Sequence, residues 1–295
     1  MHDAGRPSGL PQRVELAAVP FFPQEEYQCG PAALAMVLAD AGLKVTPQDL
    51  VAQVYLPGRQ GSLQVEMLAA ARRRGLVSYQ LAPTYEALLR ELAAGTPVIV
   101  LQNLTLVDGW HYAVAVGYDF ESGELALRSG TTERRVMDFG AHELVWRRGD
   151  YWAMVALPPG RIPATAREDR WLGAVIAFER SGDFQAIRKA YASFLVRWPE
   201  NITAAIGLAN AHHAFGNLKE AEEVLREAAR RDPQSAVVLN NLAQTLSDRG
   251  SNDEALAVIE RAAARPGNFS EAIARTRDTI LKRLTSSTGA GPAPR

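Results

Sequence analysis

Cys29, the one cysteine of the chain, stands directly before Gly30-Pro31-Ala32-Ala33-Leu34. The apolar spacing of Leu34, Val37, Leu38 and Ala41 predicts a helix over residues 30–41 with those four on one face. A thiol at the start of a helix meets unpaired backbone N–H groups and a partial positive charge, which stabilise the thiolate and lower the thiol pKa from ~8.5. That is the placement of a nucleophile. Gln24, just upstream, carries a side-chain amide able to donate to a developing oxyanion beside the Cys29 backbone N–H. A lone cysteine also serves as a small buried apolar residue, so these residues alone leave both roles open. His111 opens the run His-Tyr-Ala-Val-Ala-Val-Gly-Tyr after a turn at Asp108-Gly109, which sets an imidazole at a strand end. His2 in the tail, His142 in a polar stretch, and His212 and His213 read as solvated or packing histidines.

These side chains need a scaffold, and the first half of the chain supplies one. Thr46-Pro47-Gln48-Asp49 caps a second helix running through Val54, Ser62 caps a third over residues 62–73, and a fourth over residues 84–93 ends at Gly95. Strands are predicted at 97–102, 111–118, 124–129, 134–138 and 151–157. Helices first and antiparallel strands second is an α+β order.

Near residue 160 the composition shifts to alanine-rich helical periodicity, across a stretch with prolines at 158, 159 and 163 that suits neither helix nor central strand. Beyond it Gly182, Gly216 and Gly250 recur at a 34-residue interval, as do Pro199 and Pro233, with Pro266 one residue short of the next step. This is the tetratricopeptide length. Aligned on the prolines, Trp171, Val175, Phe178, Ile187, Tyr191 and Phe194 fill the packing positions of the first repeat. Leu208, Ala209, His212, Ala221, Leu225 and Ala228 fill those of the second, and Leu242, Ala243, Leu246, Ala255, Ile259 and Ala262 those of the third. The expected layout is therefore a disordered N-terminus over 1–13, a first domain over 14–157, a Pro-rich linker over 158–167 and repeats at 168–201, 202–235 and 236–269. A capping helix over 270–284 and a disordered tail over 285–295 complete it.

Composition excludes several classes. Of the 295 residues, 47% are hydrophobic and 22% charged, which is globular rather than disordered. A net charge of -1 offers no basic field for nucleic acid, and Arg226, Arg230 and Arg231 read as a solvated helix face. No apolar run reaches the ~18 residues of a spanning helix, no histidine cluster has a metal-ligand spacing, and no Walker A sequence occurs. No cofactor is implied. The start lacks an export signal, which reads as cytoplasmic for the chain as given, or as cell envelope if a signal precedes it.

Val19-Pro20-Phe21-Phe22-Pro23-Gln24, Gln28-Cys29-Gly30-Pro31-Ala32-Ala33-Leu34-Ala35-Met36-Val37-Leu38 and Gly109-Trp110-His111-Tyr112-Ala113-Val114-Ala115-Val116-Gly117-Tyr118 together resemble the papain-like bacteriocin-processing cysteine peptidases, which remove double-glycine leaders, and their stand-alone relatives. The resemblance spans roughly residues 15–157. It implies an α+β papain-like domain in which Cys29 is the nucleophile, His111 the general base and acid, and Gln24 the oxyanion donor, followed here by an all-α tetratricopeptide-repeat domain. A peptide or protein substrate is implied, and the repeats imply a protein partner.

The family places an Asp, sometimes an Asn, on the strand after the histidine strand; here that stretch reads Leu127-Arg128-Ser129-Gly130. Pairing Tyr118 with Glu124 across the intervening turn puts Ser129 opposite Ala113, on the sheet face of His111. A serine can orient an imidazole but brings no charge to an imidazolium. Asp119 and Asp138 stand in reserve. Two readings follow: a thiol peptidase, whose parts also suit other acyl transfers such as amidase or transglutaminase chemistry, or a papain-like scaffold that binds peptides without cleaving them.

Overall fold

The computed structural model describes residues 7–24, 28–105, 109–265 and 269–288. Asp108 and Pro266 lie outside them, as do residues 1–6 and 289–295 of the expected tails. The described part of the N-terminal tail is built in: Leu10 is buried, and Arg13–Glu15 forms strand β1.

The chain divides into two compact units between Asp183 and Phe184. The first begins with β1, followed by α1 (Cys29–Asp40), α2 (Gln48–Val54) and the small hairpin β2 (Tyr55–Leu56) and β3 (Gly61–Ser62). After these come α3 (Gln64–Arg73), β4 (Val77–Gln80), α4 (Tyr85–Ala93), β5 (Val98–Asn103), β6 (Trp110–Asp119), β7 (Glu124–Ser129) and β8 (Thr132–Asp138). The unit ends with α5 (Phe139–Arg147), β9 (Ala153–Leu157) and α6 (Glu168–Glu179). The antiparallel sheet runs β4-β9-β5-β6-β7-β8, with β1 paired to β6. This is the α+β architecture expected. Strands β4 and β1 and helix α5 were not predicted.

Helix α1 was expected to bury one face, but every residue from Gly30 to Leu38 is buried. The sheet, chiefly β6, lies on one side, and α2 and α3 lie on the other, so the helix is enclosed and carries no polar face. Ser62 was expected to cap α3; it lies in β3 instead, paired with Tyr55, and Leu63 occupies the cap position. The reason is spatial. A Cβ on Gly30 would sit 2.2 Å from the Ser62 hydroxyl, so β3 presses against the start of α1 where glycine leaves room. Thr84 does cap α4, accepting from the Ala87 N–H, and Thr46 is held by Asp49 at the head of α2.

Helix α6, expected as the first helix of the repeats, packs on β4. Trp171 meets Tyr79 edge-on at 5.7 Å, and the buried carboxylate of Glu91 accepts from Ala164, from the Thr165 backbone and from the Thr165 hydroxyl. The compact unit thus runs past the Pro-rich stretch.

The second unit comprises α7 (Phe184–Arg197), α8 (Ile202–Ala214), α9 (Leu218–Arg231), α10 (Ala236–Asp248), α11 (Asn252–Ala263) and α12 (Ser270–Thr288). Each helix packs on the next, and all the expected repeat positions are buried except Ile187 and His212. Gly216 and Gly250 follow α8 and α10 in the left-handed region. Arg226, Arg230 and Arg231 are each engaged by glutamates, in keeping with a solvated helix face. The final helix extends past the expected 270–284 by about a turn.

Candidate active site

Three stretches of the first unit converge on one cleft of about 1030 Å³, lined among others by Gln24, Cys29, Leu63, Trp110, His111 and Tyr112. Cys29 is the first residue of α1, with Gln28 before it accepting the Ala32 N–H. The backbone N–H groups of Tyr112, Gly30 and Cys29 itself face its sulfur. The contact from Tyr112 matters most for geometry, because that N–H belongs to the residue after His111. It brings the strand start of β6 onto the helix start of α1.

His111 directs Nε2 to the Ser129 hydroxyl at 2.9 Å. The imidazole lines the same cleft as Cys29, with Nδ1 as the nitrogen not given to Ser129. The Ser129 placement has an unexpected route. Near the β6–β7 turn the pairing is Asp119 with Glu124 and Tyr118 with Leu125, one step away from the expected Tyr118–Glu124 register. An irregularity between Ala115 and Gly117 absorbs one residue and restores Val114 opposite Arg128, so the next step sets Ser129 beside Ala113. Without that bulge the side chains of β7 would face the other way.

Gln24 is tied on three sides. Its Nε2 donates to the Tyr112 carbonyl at 3.2 Å, its Oε1 accepts from the Gly130 N–H at 3.0 Å, and its own backbone N–H donates to the Gly130 carbonyl at 3.0 Å. A carboxamide nitrogen carries two hydrogens, so one N–H remains after the bond to Tyr112. Arg128, buried in β7, supports the same segment by donating to the carbonyls of Ala17, Val19 and Glu133. The reserve carboxylates are engaged elsewhere: Asp119 accepts from the Glu121 N–H, and Asp138 caps α5 through Gly140 and Ala141.

The electrostatics depart from expectation. Burial pushes the Cys29 thiol above its ordinary value, outweighing the three N–H groups that favour the thiolate. The helix start was expected to lower it. Burial, with the positive charge of Arg135, pushes His111 down to about 4. At neutral pH the resting pair is therefore thiol and neutral imidazole.

Sequence reasoning passed over Arg128, the Tyr112 N–H and the β2–β3 hairpin, whose Arg59, Gln60 and Gly61 edge the cleft. Arg128 carried a signal, being a charged residue inside an apolar strand pattern. His142, read as solvated or packing, is fully buried. Among the described residues no group of three or more His, Cys, Asp or Glu is placed to hold a metal, and no helix is long and apolar enough to cross a membrane.

Residues 16–149 match the Peptidase_C39 like family, and residues 172–236 and 216–276 match two tetratricopeptide repeat families. A curated relative, Cellulose synthase 1 operon protein C of Komagataeibacter xylinus, is 31% identical over 111 residues, covering 34% of this chain and 8% of that protein. Among solved structures, a C39-like peptidase from Bacillus anthracis is 18% identical, covering 50% of this chain and 98% of its own, with a TM-score of 0.42. The peptidase domain of Streptococcus ComA, a bi-functional ABC transporter, is 20% identical over 48% of this chain and 98% of its own, with a TM-score of 0.41. The Sgt2 TPR domain from Aspergillus fumigatus is 20% identical over 43% and 86%, with a TM-score of 0.39.

Proposed function

From a chain that carries a peptidase C39-like domain followed by tetratricopeptide repeats, we propose a cysteine peptidase that hydrolyses peptide bonds through an acyl-enzyme on Cys29, with the repeats recruiting a substrate or partner protein. The observation that carries this reading is the convergence of Cys29, His111 and Gln24 on one open cleft, with the His111 Nε2 occupied by Ser129.

The chemistry runs from a neutral pair. For Nδ1 to act as base, the ring proton sits on Nε2 and donates to the Ser129 oxygen. Nδ1 takes the thiol proton as the sulfur attacks the scissile carbonyl carbon, and the carbonyl oxygen gathers negative charge. The remaining Gln24 N–H and the Cys29 N–H are the donors that face that charge. Collapse expels the amine, which takes the proton back from Nδ1, and leaves a thioester. Water then attacks the thioester with its proton passing to Nδ1, releasing the acid and restoring the thiol.

The test is cleavage of peptide libraries by the full chain and by Cys29→Ala, read by mass spectrometry. Cleavage that vanishes in Cys29→Ala supports the peptidase. Peptides retained by both proteins and cut by neither overturn it in favour of a second reading, a peptide-binding scaffold. A specific feature favours that alternative: Ser129 brings no negative charge, while burial and Arg135 disfavour the imidazolium.

A further inference from the structure

Strands β6 and β7 are regularly paired at Val114 and Arg128. Beyond that pair β7 ends at Ser129, and Gly130, at φ 61°, opens the turn into β8, so Tyr112 and Gly130 form no regular ladder pair. Gln24 joins them instead. The Tyr112 carbonyl accepts from Gln24 Nε2, the Gly130 N–H donates to Gln24 Oε1, and the Gly130 carbonyl accepts from the Gln24 backbone N–H. The Tyr112 N–H faces the Cys29 sulfur. Gln24 thus ties the start of β6 to the β7–β8 turn, beside the residue whose N–H reaches the thiol.

We propose that Gln24 is a positioning residue: its carboxamide bridges the Tyr112 carbonyl and the Gly130 N–H, fixes the start of β6 against the β7–β8 turn, keeps the Tyr112 N–H on the Cys29 sulfur and seats Ser129 against His111. This role is additional to oxyanion donation and rests on reading the cleft as a Cys-His site. A planar amide suits it because donor and acceptor lie side by side and bridge a carbonyl and an N–H that point toward each other. Without the amide, the Tyr112 carbonyl and the Gly130 N–H lose their shared partner, and the start of β6 with its Tyr112 N–H is no longer fixed at the sulfur.

The test uses the full chain and its one thiol, with iodoacetamide as the probe across a pH series. Gln24→Met keeps approximate size without donor or acceptor, and Gln24→Ala removes the amide altogether. The expected result for both is a profile displaced to higher pH by about one unit, about tenfold slower alkylation at pH 7, with loss of the His111 tautomer preference in its ¹⁵N spectrum. Alkylation forms no oxyanion, so folded variants with the wild-type profile and the wild-type His111 spectrum overturn the proposal. Should both variants fail to fold, the wild type decides by coupling across hydrogen bonds: Gly130 nitrogen to the Gln24 side-chain carbonyl carbon supports it, and Gly130 nitrogen to the Tyr112 carbonyl carbon overturns it. None of these readouts needs turnover. A wild type that cleaves no peptide therefore removes the peptidase reading and leaves this one to stand or fall separately.

Discussion

The cleft at His111 and the aromatic pocket at His142 hold two imidazoles in closely similar ways. His111 gives one ring nitrogen to the Ser129 hydroxyl at 2.9 Å; His142 gives Nδ1 to the Tyr85 hydroxyl at 2.6 Å, and Tyr85 in turn donates to the Phe139 carbonyl at 2.8 Å. Burial lowers both, to about 4 and about 3. What separates them is the second nitrogen. In His142 it is Nε2, buried against Trp146 with no hydrogen-bond partner, whereas His111 itself lines a cleft together with a thiol. A hydroxyl partner and a depressed pKa are therefore not marks of a reactive histidine, because a packing histidine acquires both. The distinguishing mark is the cleft that His111 shares with the Cys29 thiol.

That contrast breaks most decisively at the sulfur. Cys29→Ala is expected to abolish Cys29-dependent cleavage, and His111→Ala to lower it by about 10²–10⁴-fold, as loss of a general base does. His142→Gln is expected to leave the kcat/KM of the folded protein unchanged. Equal losses for the two histidine variants would show that the cleft has no special claim.

Next in size is Ser129→Asp. A carboxylate at Nε2 favours the imidazolium, so the His111 pKa rises and the thiolate–imidazolium pair gains population. Iodoacetamide reactivity at pH 6–7 is expected to climb about tenfold for each unit by which the thiol pKa falls. An unchanged profile would mean that Arg135 and burial outweigh the new charge.

Acid stability sharpens the comparison. Both histidines bind protons in the unfolded chain near pH 6.5 but in the folded one only near 4 and 3. Stability is therefore fully present above about 6.5 and declines as pH falls below it, by ~1.4 kcal/mol per pH unit per histidine. The decline due to His142 continues to lower pH than that due to His111. Urea midpoints measured between pH 7 and 3 should show it, and His142→Leu should flatten it more than His111→Gln does below pH 4.

The smallest expected effect is that of Tyr85→Phe. It leaves His142 Nδ1 without its acceptor and costs about 1–3 kcal/mol, readable as a lower urea midpoint at pH 7 with unchanged Cys29 alkylation.

Much of this was legible in residues and spacing. The repeats announced themselves by glycine and proline period, Cys29 and His111 by position relative to a helix and a strand start, and Ser129 by the family resemblance with the pairing counted from the turn. Other features depend on tertiary context. The β6–β7 register at the turn differs from the simple reading, and Ser129 reaches the right face through a bulge that no local pattern reveals. The Cys29 thiol is set by two opposed effects, helix N–H groups and burial, and only the first can be seen in sequence. Helix α5 escaped because Phe139-Gly140 follows a strand and Arg147-Arg148-Gly149 ends it early, leaving too short a period to recognise.

The buried Glu91 has a practical consequence for anyone who wishes to isolate the first unit. A protein cut after Leu157 would strip Trp171 from Tyr79 and deprive the fully buried Glu91 carboxyl group of its Ala164 and Thr165 donors, exposing the Tyr79 ring beside an unsatisfied polar group. Such a fragment is expected to aggregate. One ending at Asp183 keeps those contacts and should stay in solution, so the useful scissors fall inside what the repeat period alone would number as the first repeat.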